Sequence, residues 1–297
     1  MSALPWLAIV GPTASGKSAL ALEIARRERD VELLSADAMQ VYRGMDIGTA
    51  KPTPEERADV PHHLLDIADP SEDFSLAEWQ RAAKAAIADV HGRGRRTILV
   101  GGTGLYVRAL LDDLDLPGRF PDARAEVEAE PDTLALHRRL SELDPTAATR
   151  MEPTNRRRIV RALEVAIGSG RPFSSFGPGL TEHPEIPTRQ LGIQVPTDEL
   201  DVRIEQRVRA MVEAGLVEEV EALAARPAGL SRTARQALGY KELLEHLDGR
   251  CTLDQAIDQV GLRTRQLARR QVRWFRRDPR IRWGSGPASA AWARALA

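Results

Sequence analysis

The stretch GPTASGKS, residues 11–18, constrains the fold more than any other feature of this chain. It fits the pattern GxxxxGK[ST], and its flanks are the ones that pattern requires. The apolar run WLAIV before it reads as a short buried strand, and SALALEIARRE after it reads as an amphipathic helix. A strand feeding a helix through such a turn aims backbone N–H groups and a helix N-terminus at an anion. Lys17 adds a point charge, and the Ser18 hydroxyl can join the shell of a Mg²⁺ ion. The strand, Lys17 and Ser18 together set the stretch apart from a glycine-rich turn without a ligand. They imply a phosphate without saying whose.

The first hundred residues alternate strand and helix, which predicts a parallel sheet with helices on its faces. VELLSAD, residues 31–37, is the second strand candidate. A helix is expected to open at Ser75, where SLAE carries a capping box with Glu78, and to run to about His91 before GRG. TILVGG, residues 97–102, is the third strand, followed by the turn GGTG and the helix start LYVRALL. From 117 to 187 the pattern is purely helical with proline- and glycine-rich connections, and LGIQV (191–195) restores a strand. The remainder is almost wholly helical, and the tail from 284 onwards reads as poorly ordered. The expected fold class is therefore α/β. It is a P-loop NTPase-like parallel sheet flanked by helices, formed by 1–116 and 188–297, with an all-helical insertion domain at 117–187 and a helical C-terminal region.

Composition narrows the function classes. Of 297 residues 42% are hydrophobic and 29% charged, and no apolar run approaches the ~20 residues of a membrane span. The N-terminus lacks a basic region before its first strand, so it does not read as a signal peptide. Cys251 is the only cysteine, which leaves no internal disulfide and no cysteine-based zinc cage. A cytoplasmic monomer is the expectation. Net charge is −1, yet residues 263–282 hold nine arginines against the single acid Asp278, a segment of +8 in a chain whose remainder is −9. NRRRIVR, residues 155–161, adds four more arginines. Either cluster alone reads as a solvated helix face, but two of them in an otherwise acidic chain favour a polyanionic partner.

One expectation of phosphate-binding NTPases fails. They place an acid at the end of an apolar strand to reach Mg²⁺ through water, whereas TILVGG ends in glycine and Thr103. The acid in a comparable place is Asp37, which reads equally as a turn residue, as a base or as a water-mediated metal partner. The long segment after it, AMQVYRGMDIGTAKP, has the length of a functional loop. His62 and His63 are adjacent and lack a third ligand, so a metal site there is not expected. Trp79 and Trp274 read as packing residues, and aromatics at 4% argue against a stacking platform for single strands.

Six blocks, in order, now point to a family: GPTASGKS, SADAMQVYRGMDIGTAKP, VGGTGLYVRAL, NRRRIVRALEV, QALGYKE and TRQLARRQVRWF. Together they closely resemble the bacterial tRNA dimethylallyltransferases, also called tRNA isopentenyltransferases, over nearly the whole chain. The resemblance implies transfer of an isoprenoid from dimethylallyl diphosphate to the exocyclic N6 amine of the adenosine 3′ of the anticodon, in tRNAs that read U-starting codons. The phosphates are then those of the isoprenoid, and Mg²⁺, held in part by Ser18, is the expected cofactor. Gly11, Pro12, Thr13, Ala14, Ser15, Gly16, Lys17 and Ser18 would hold the diphosphate, with Arg207 favoured over Arg203 as a further contact. Asp37 matches the family's proposed base, and Thr103 matches the threonine at the centre of its site. Ala38, Met39 and Gln40 fall at positions that touch the flipped base, with Gln40 a candidate for a base edge. Arg124 and residues Arg157, Arg158, Ile159, Val160 and Arg161 of the insertion match tRNA contacts. The rival readings are an adenylate isopentenyltransferase, which needs no helical insertion, and a P-loop small-molecule kinase.

Overall fold

The structure is a computed structural model that describes residues 4–177, 180 and 182–285. Its centre is a six-stranded sheet in the order β3-β2-β4-β1-β5-β6, parallel throughout. The strands are β1 (Leu7–Val10), β2 (Val31–Ser35), β3 (His62–His63), β4 (Arg96–Gly101), β5 (Arg189–Gln194) and β6 (Ile281–Ser285). Strand alternation divides their side chains between two apolar layers. Ala8, Val10, Leu34 and Leu99 enter the larger core with Trp79, while Leu7, Ile9, Leu33, Ile98 and Leu191 enter the core beneath the first helix. Covering both faces explains why LAIV is apolar at every position.

The helices are α1 (Lys17–Glu28), α2 (Pro54–Asp59), α3 (Leu76–Gly92), α4 (Gly104–Leu111), α5 (Pro121–Glu128), α6 (Thr133–Leu143), α7 (Pro145–Thr149), α8 (Arg156–Ser169), α9 (Thr197–Glu213), α10 (Leu216–Ala224), α11 (Tyr240–Leu247) and α12 (Leu253–Phe275). The capping box at Ser75 and Glu78 forms as its spacing predicts. Strand β6 is absent from the sequence reading. Its alternation of Ile281 and Trp283 with arginines is short, and it becomes a strand by adding to the edge of β5. Of the tail, Gly284 and Ser285 belong to β6, and the rest lies outside the described residues.

The chain divides into two compact units. One comprises Met1–Leu111 and Glu185–Ala297, the other Asp112–Pro184, against the 117–187 read from the sequence. In the second unit α5–α8 bury Val127, Leu136, Leu140, Ile159, Val160 and Leu163 in a core of their own. The chain before α5 is tied down within this unit: Arg161 donates to the carbonyls of Pro117 (2.8 Å) and Gly118 (3.0 Å), and Phe120 N–H donates to Glu164 (3.1 Å). Such backbone contacts have no sequence signature.

Candidate active site

Three neighbouring strands end level and deliver the site. Val10 lies beside Gly101 and Ser35 beside Val100, so the loops after β1, β4 and β2 leave the sheet together at its carboxyl edge. They carry residues 11–18, Thr103 and Asp37 respectively.

In the first loop Gly16 sits at the N-cap of α1 with φ +87°, a left-handed conformation that favours glycine, and no side chain caps the helix. The N–H groups of the first turn therefore have no acceptor within the helix. Ser18 is exposed beside them, and Lys17 is half-buried with Nζ 3.3 Å from the Pro12 carbonyl. The Ser15 hydroxyl is buried without a hydrogen-bond partner. A cradle of unsatisfied donors at a helix N-terminus suits an anion. Two of the eight residues expected here contribute differently. Pro12 has no N–H, and its carbonyl accepts from Ser15 and Lys17. The Thr13 N–H is already spent on the Gln271 side chain at 2.8 Å.

Burial, with the nearby Arg207 guanidinium, lowers the Lys17 pKa to about 8, and the carboxylate of Asp37 works in the opposite direction. Burial also lowers the Arg207 pKa, again opposed by Asp37. These three charges thus act on one another across the site. Arg203, one helical turn earlier on α9, instead pairs with Glu199 at 2.5 Å on the surface. Of the two arginines only Arg207 feels the site's charges.

Asp37 serves partly as the turn residue its position suggested: Oδ1 accepts from the N–H of Met39 at 2.8 Å and, more weakly, of Gln40 at 3.4 Å. Oδ2 has no hydrogen bond among the described residues and is free to take a proton. Thr103 is half-buried, and its carbonyl starts α4 by accepting from Tyr106 and Val107. Gln40 is hydrogen-bonded at both ends of its amide. Its Oε1 accepts from the Ser35 hydroxyl (2.7 Å), and its Nε2 donates to the carbonyls of Thr49 (3.1 Å) and Ala50 (3.2 Å). These bonds brace the loop. Ala38 and Met39 are half-buried and pack against the larger core.

Two residues hold this loop: Glu219, which sequence reasoning missed, and Lys51, which lies in the segment it singled out. Glu219 accepts the N–H groups of Asp46 (2.9 Å), Ile47 (2.8 Å) and Gly48 (3.2 Å), together with the Tyr240 hydroxyl (2.5 Å). Burial and this carboxylate push the Tyr240 pKa up, so its hydroxyl stays a donor. Lys51, with 1% of its side chain exposed, donates to the Tyr42 carbonyl and to Asp46 and Asp66 at 2.5–2.7 Å.

The second unit presents its own cationic end. Asn155 caps α8 by accepting from Arg158 N–H, and Arg157 and Arg158 are exposed without an ion-pair partner among the described residues. Arg161 and Arg124 are instead engaged by the buried carboxylate of Glu164, at 2.6 and 3.2 Å. Ile159 and Val160 are 0% and 3% exposed. Their side chains belong to the core of this unit, because helical periodicity turns them away from the face of Arg157 and Arg158, which leaves their backbone for the tRNA contact expected there.

No group of three or more His, Cys, Asp or Glu side chains suited to a metal occurs among the described residues. His62 is turned to the Val60 carbonyl and His63 to Glu32. Trp79 is fully buried against Tyr106, their ring centroids 4.8 Å apart. No helix among the described residues is long and apolar enough to cross a membrane.

Comparison with known proteins places this geometry. A tRNA dimethylallyltransferase of Kineococcus radiotolerans is 51% identical, with 96% of this chain and 92% of the relative covered. One from Thermobifida fusca is 52% identical over 93% of this chain and 88% of its own length. The crystal structure of the tRNA isopentenylpyrophosphate transferase of Bacillus halodurans matches with a TM-score of 0.72 and 40% identity, covering 100% of this chain and 96% of that one. A eukaryotic dimethylallyltransferase acting on tRNA matches with a TM-score of 0.82 at 26% identity, covering 99% and 78%. Residues 40–278 fit the family model described as IPP transferase, and this chain belongs to that family.

Proposed function

We propose that this protein is a tRNA dimethylallyltransferase. It moves a dimethylallyl group from dimethylallyl diphosphate to the N6 amine of the adenosine 3′ of the anticodon, in tRNAs reading U-starting codons, and releases diphosphate. The observation that carries this reading is the meeting of an uncapped phosphate cradle, Lys17 and Arg207 with a carboxylate that has one unbonded oxygen, in a member of this family.

As the allylic C–O bond breaks, negative charge grows on the diphosphate. The N–H groups at the start of α1, the Ser15 hydroxyl, Lys17 and Arg207 stabilise that charge more strongly in the transition state than in the ground state. The adenine amine is a weak nucleophile whose N–H becomes acidic as the C–N bond forms. Asp37 then accepts the proton on Oδ2, and the prenylated amine leaves neutral. A general base at this point is worth about 10²–10⁴-fold. No attacking water takes part, so no residue is needed to activate one.

The available donor set suits Mg²⁺ carried mainly by the diphosphate oxygens and water, with the Ser18 hydroxyl as the protein's contribution. When bound, such an ion neutralises charge on the leaving group. Arg157 and Arg158 sit on the second unit where phosphates of an anticodon stem-loop can reach them. Flipping a base out of a single-stranded loop costs little.

The deciding assay supplies Mg²⁺, dimethylallyl diphosphate and either unmodified tRNA with an adenosine-rich anticodon loop or free AMP, and detects prenyl-adenosine by mass spectrometry. Product on tRNA alone is expected. Product on AMP alone would assign the chain to the free-nucleotide relatives, and ATP turnover on a small metabolite without prenylation would assign it to the kinases.

A further inference from the structure

Helix α12 lays one polar side chain between the two loops that form the donor side of the site. Gln271 Oε1 accepts the Thr13 N–H at 2.8 Å, and its Nε2 donates to the Gly102 carbonyl at 3.0 Å. The loops themselves are shaped around this contact. A Cβ at residue 102 would lie 2.3 Å from Gln271 Nε2, and one at residue 104 would lie 2.0 Å from the indole of Trp274, one turn further along the helix. The glycines of GGTG therefore make room for α12 at two successive points. Gln271 also stands on the packed stripe of that helix, three residues after buried Ala268 and four before buried Phe275. A glutamine on such a stripe is the sequence signal for a polar contact inside the fold.

We propose that Gln271 is a positioning residue for prenyl transfer: its amide fixes the spacing between the phosphate cradle at residues 11–18 and the GGTG turn that carries Thr103. The inference rests on the donor being dimethylallyl diphosphate. The chemistry requires a residue with an acceptor and a donor on one rigid plane, since one partner is an N–H and the other a carbonyl. Gln271 uses the Thr13 N–H from outside the cradle, so the amides at the start of α1 remain for the ligand. Both of its hydrogen bonds go to the loops, through which it acts.

Glutamate at this position separates positioning from mere packing. The carboxylate of Gln271→Glu keeps the bond to Thr13 but opposes the Gly102 carbonyl with a second acceptor, whereas its protonated form again donates. The ratio of kcat/KM for dimethylallyl diphosphate, variant over wild type, should rise at least tenfold as pH falls from 8 to 5. Gln271→Leu, which matches the shape without either bond, should raise KM for the donor about tenfold at every pH and weaken binding of inorganic diphosphate, measured by calorimetry, in parallel. Its tRNA affinity should stay within twofold. A flat pH ratio for Gln271→Glu, or unchanged diphosphate binding by a folded Gln271→Leu, overturns the proposal. If Gln271→Leu fails to fold, the Gln271→Glu ratio decides alone. Absence of prenyl transfer by the wild type would instead remove the functional reading, and the diphosphate calorimetry would still report on the coupling of the two loops.

Discussion

The loop after β1 and the loop after β2 reach the same edge of the sheet, yet they treat their polar groups in opposite ways. In the first, the helix start is uncapped, the Ser15 hydroxyl is buried without a partner, and Lys17 is held against its own preference for water. In the second, Glu219 gathers three backbone N–H groups and a tyrosine hydroxyl, Lys51 is closed by three acceptors, and Gln40 is bonded at both ends. A loop that must receive a multiply charged ligand keeps its donors unsatisfied and weakens the fold for it. A loop that must hold one carboxylate steady has its other polar groups bonded, by its own residues and by Glu219 of α10. The second unit repeats the contrast in small: Arg157 and Arg158 are exposed and unpaired among the described residues, while Arg161 and Arg124 serve the buried Glu164.

The sharpest test of this division is Asp37→Asn, the one change that removes chemistry from the satisfied loop without altering its shape. The amide keeps an oxygen for the Met39 N–H, so kcat should fall about 10²–10⁴-fold while tRNA affinity changes less than twofold. A fully active variant would break the assignment of the base.

Lys17→Met tests the opposite loop. Transfer should fall about 10²–10³-fold, as for loss of one strong electrostatic contact to the leaving group. Stability should move the other way. Lys17 has a folded pKa near 8 against an ordinary 10.5, so between these values the unfolded chain holds more protons and stability rises with pH. Below about pH 8 the charged lysine weighs on the fold. Lys17→Met should therefore raise Tm at pH 7 and abolish the rise between pH 8 and 10.5, both visible by calorimetry. A lower Tm would mean that the cradle is not strained by its charge.

Glu219→Gln asks whether the satisfied loop depends on its hub. Each carboxylate oxygen accepts from two donors, so the amide places an N–H₂ against donors whichever way it turns. The cost should be about 1–3 kcal/mol in urea unfolding. An unchanged midpoint would show that the loop is held by packing alone.

The smallest effect is expected in the second unit. Replacing Arg157 and Arg158 by alanine should reduce the slope of log K for tRNA against log salt by about 1.5 and leave stability unaltered, since neither side chain has an ion-pair partner among the described residues. Arg161→Ala should do the reverse, destabilising through Glu164 with little change in slope.

Much of this protein is local in origin, and to that extent the chain spells it out. The apolar strand before GPTASGKS, the capping box at Ser75 and the helical runs either side of LGIQV each depend on neighbours in sequence, so the parallel α/β core and the helical insertion were legible from periodicity and caps. Lys17, Ser18 and Asp37 stand at strand ends whose chemistry declares itself. What spans long separations did not show. The edge strand β6 exists only because β5 is there to pair with it. The resemblance favoured Arg207 over Arg203, but the physical ground for it, the turn of α9 whose charge Asp37 opposes, comes from the fold. The internal bonds of Arg161 and Gln40 depend on carbonyls and a carboxylate supplied by other segments. Gln271 reaches Thr13 across 258 positions of chain. Sequence patterns record the backbone conformation each residue prefers and the side of an element that turns inward. Which unpaired donor meets which distant acceptor is set by how the packed elements come together, and that only the folded chain decides.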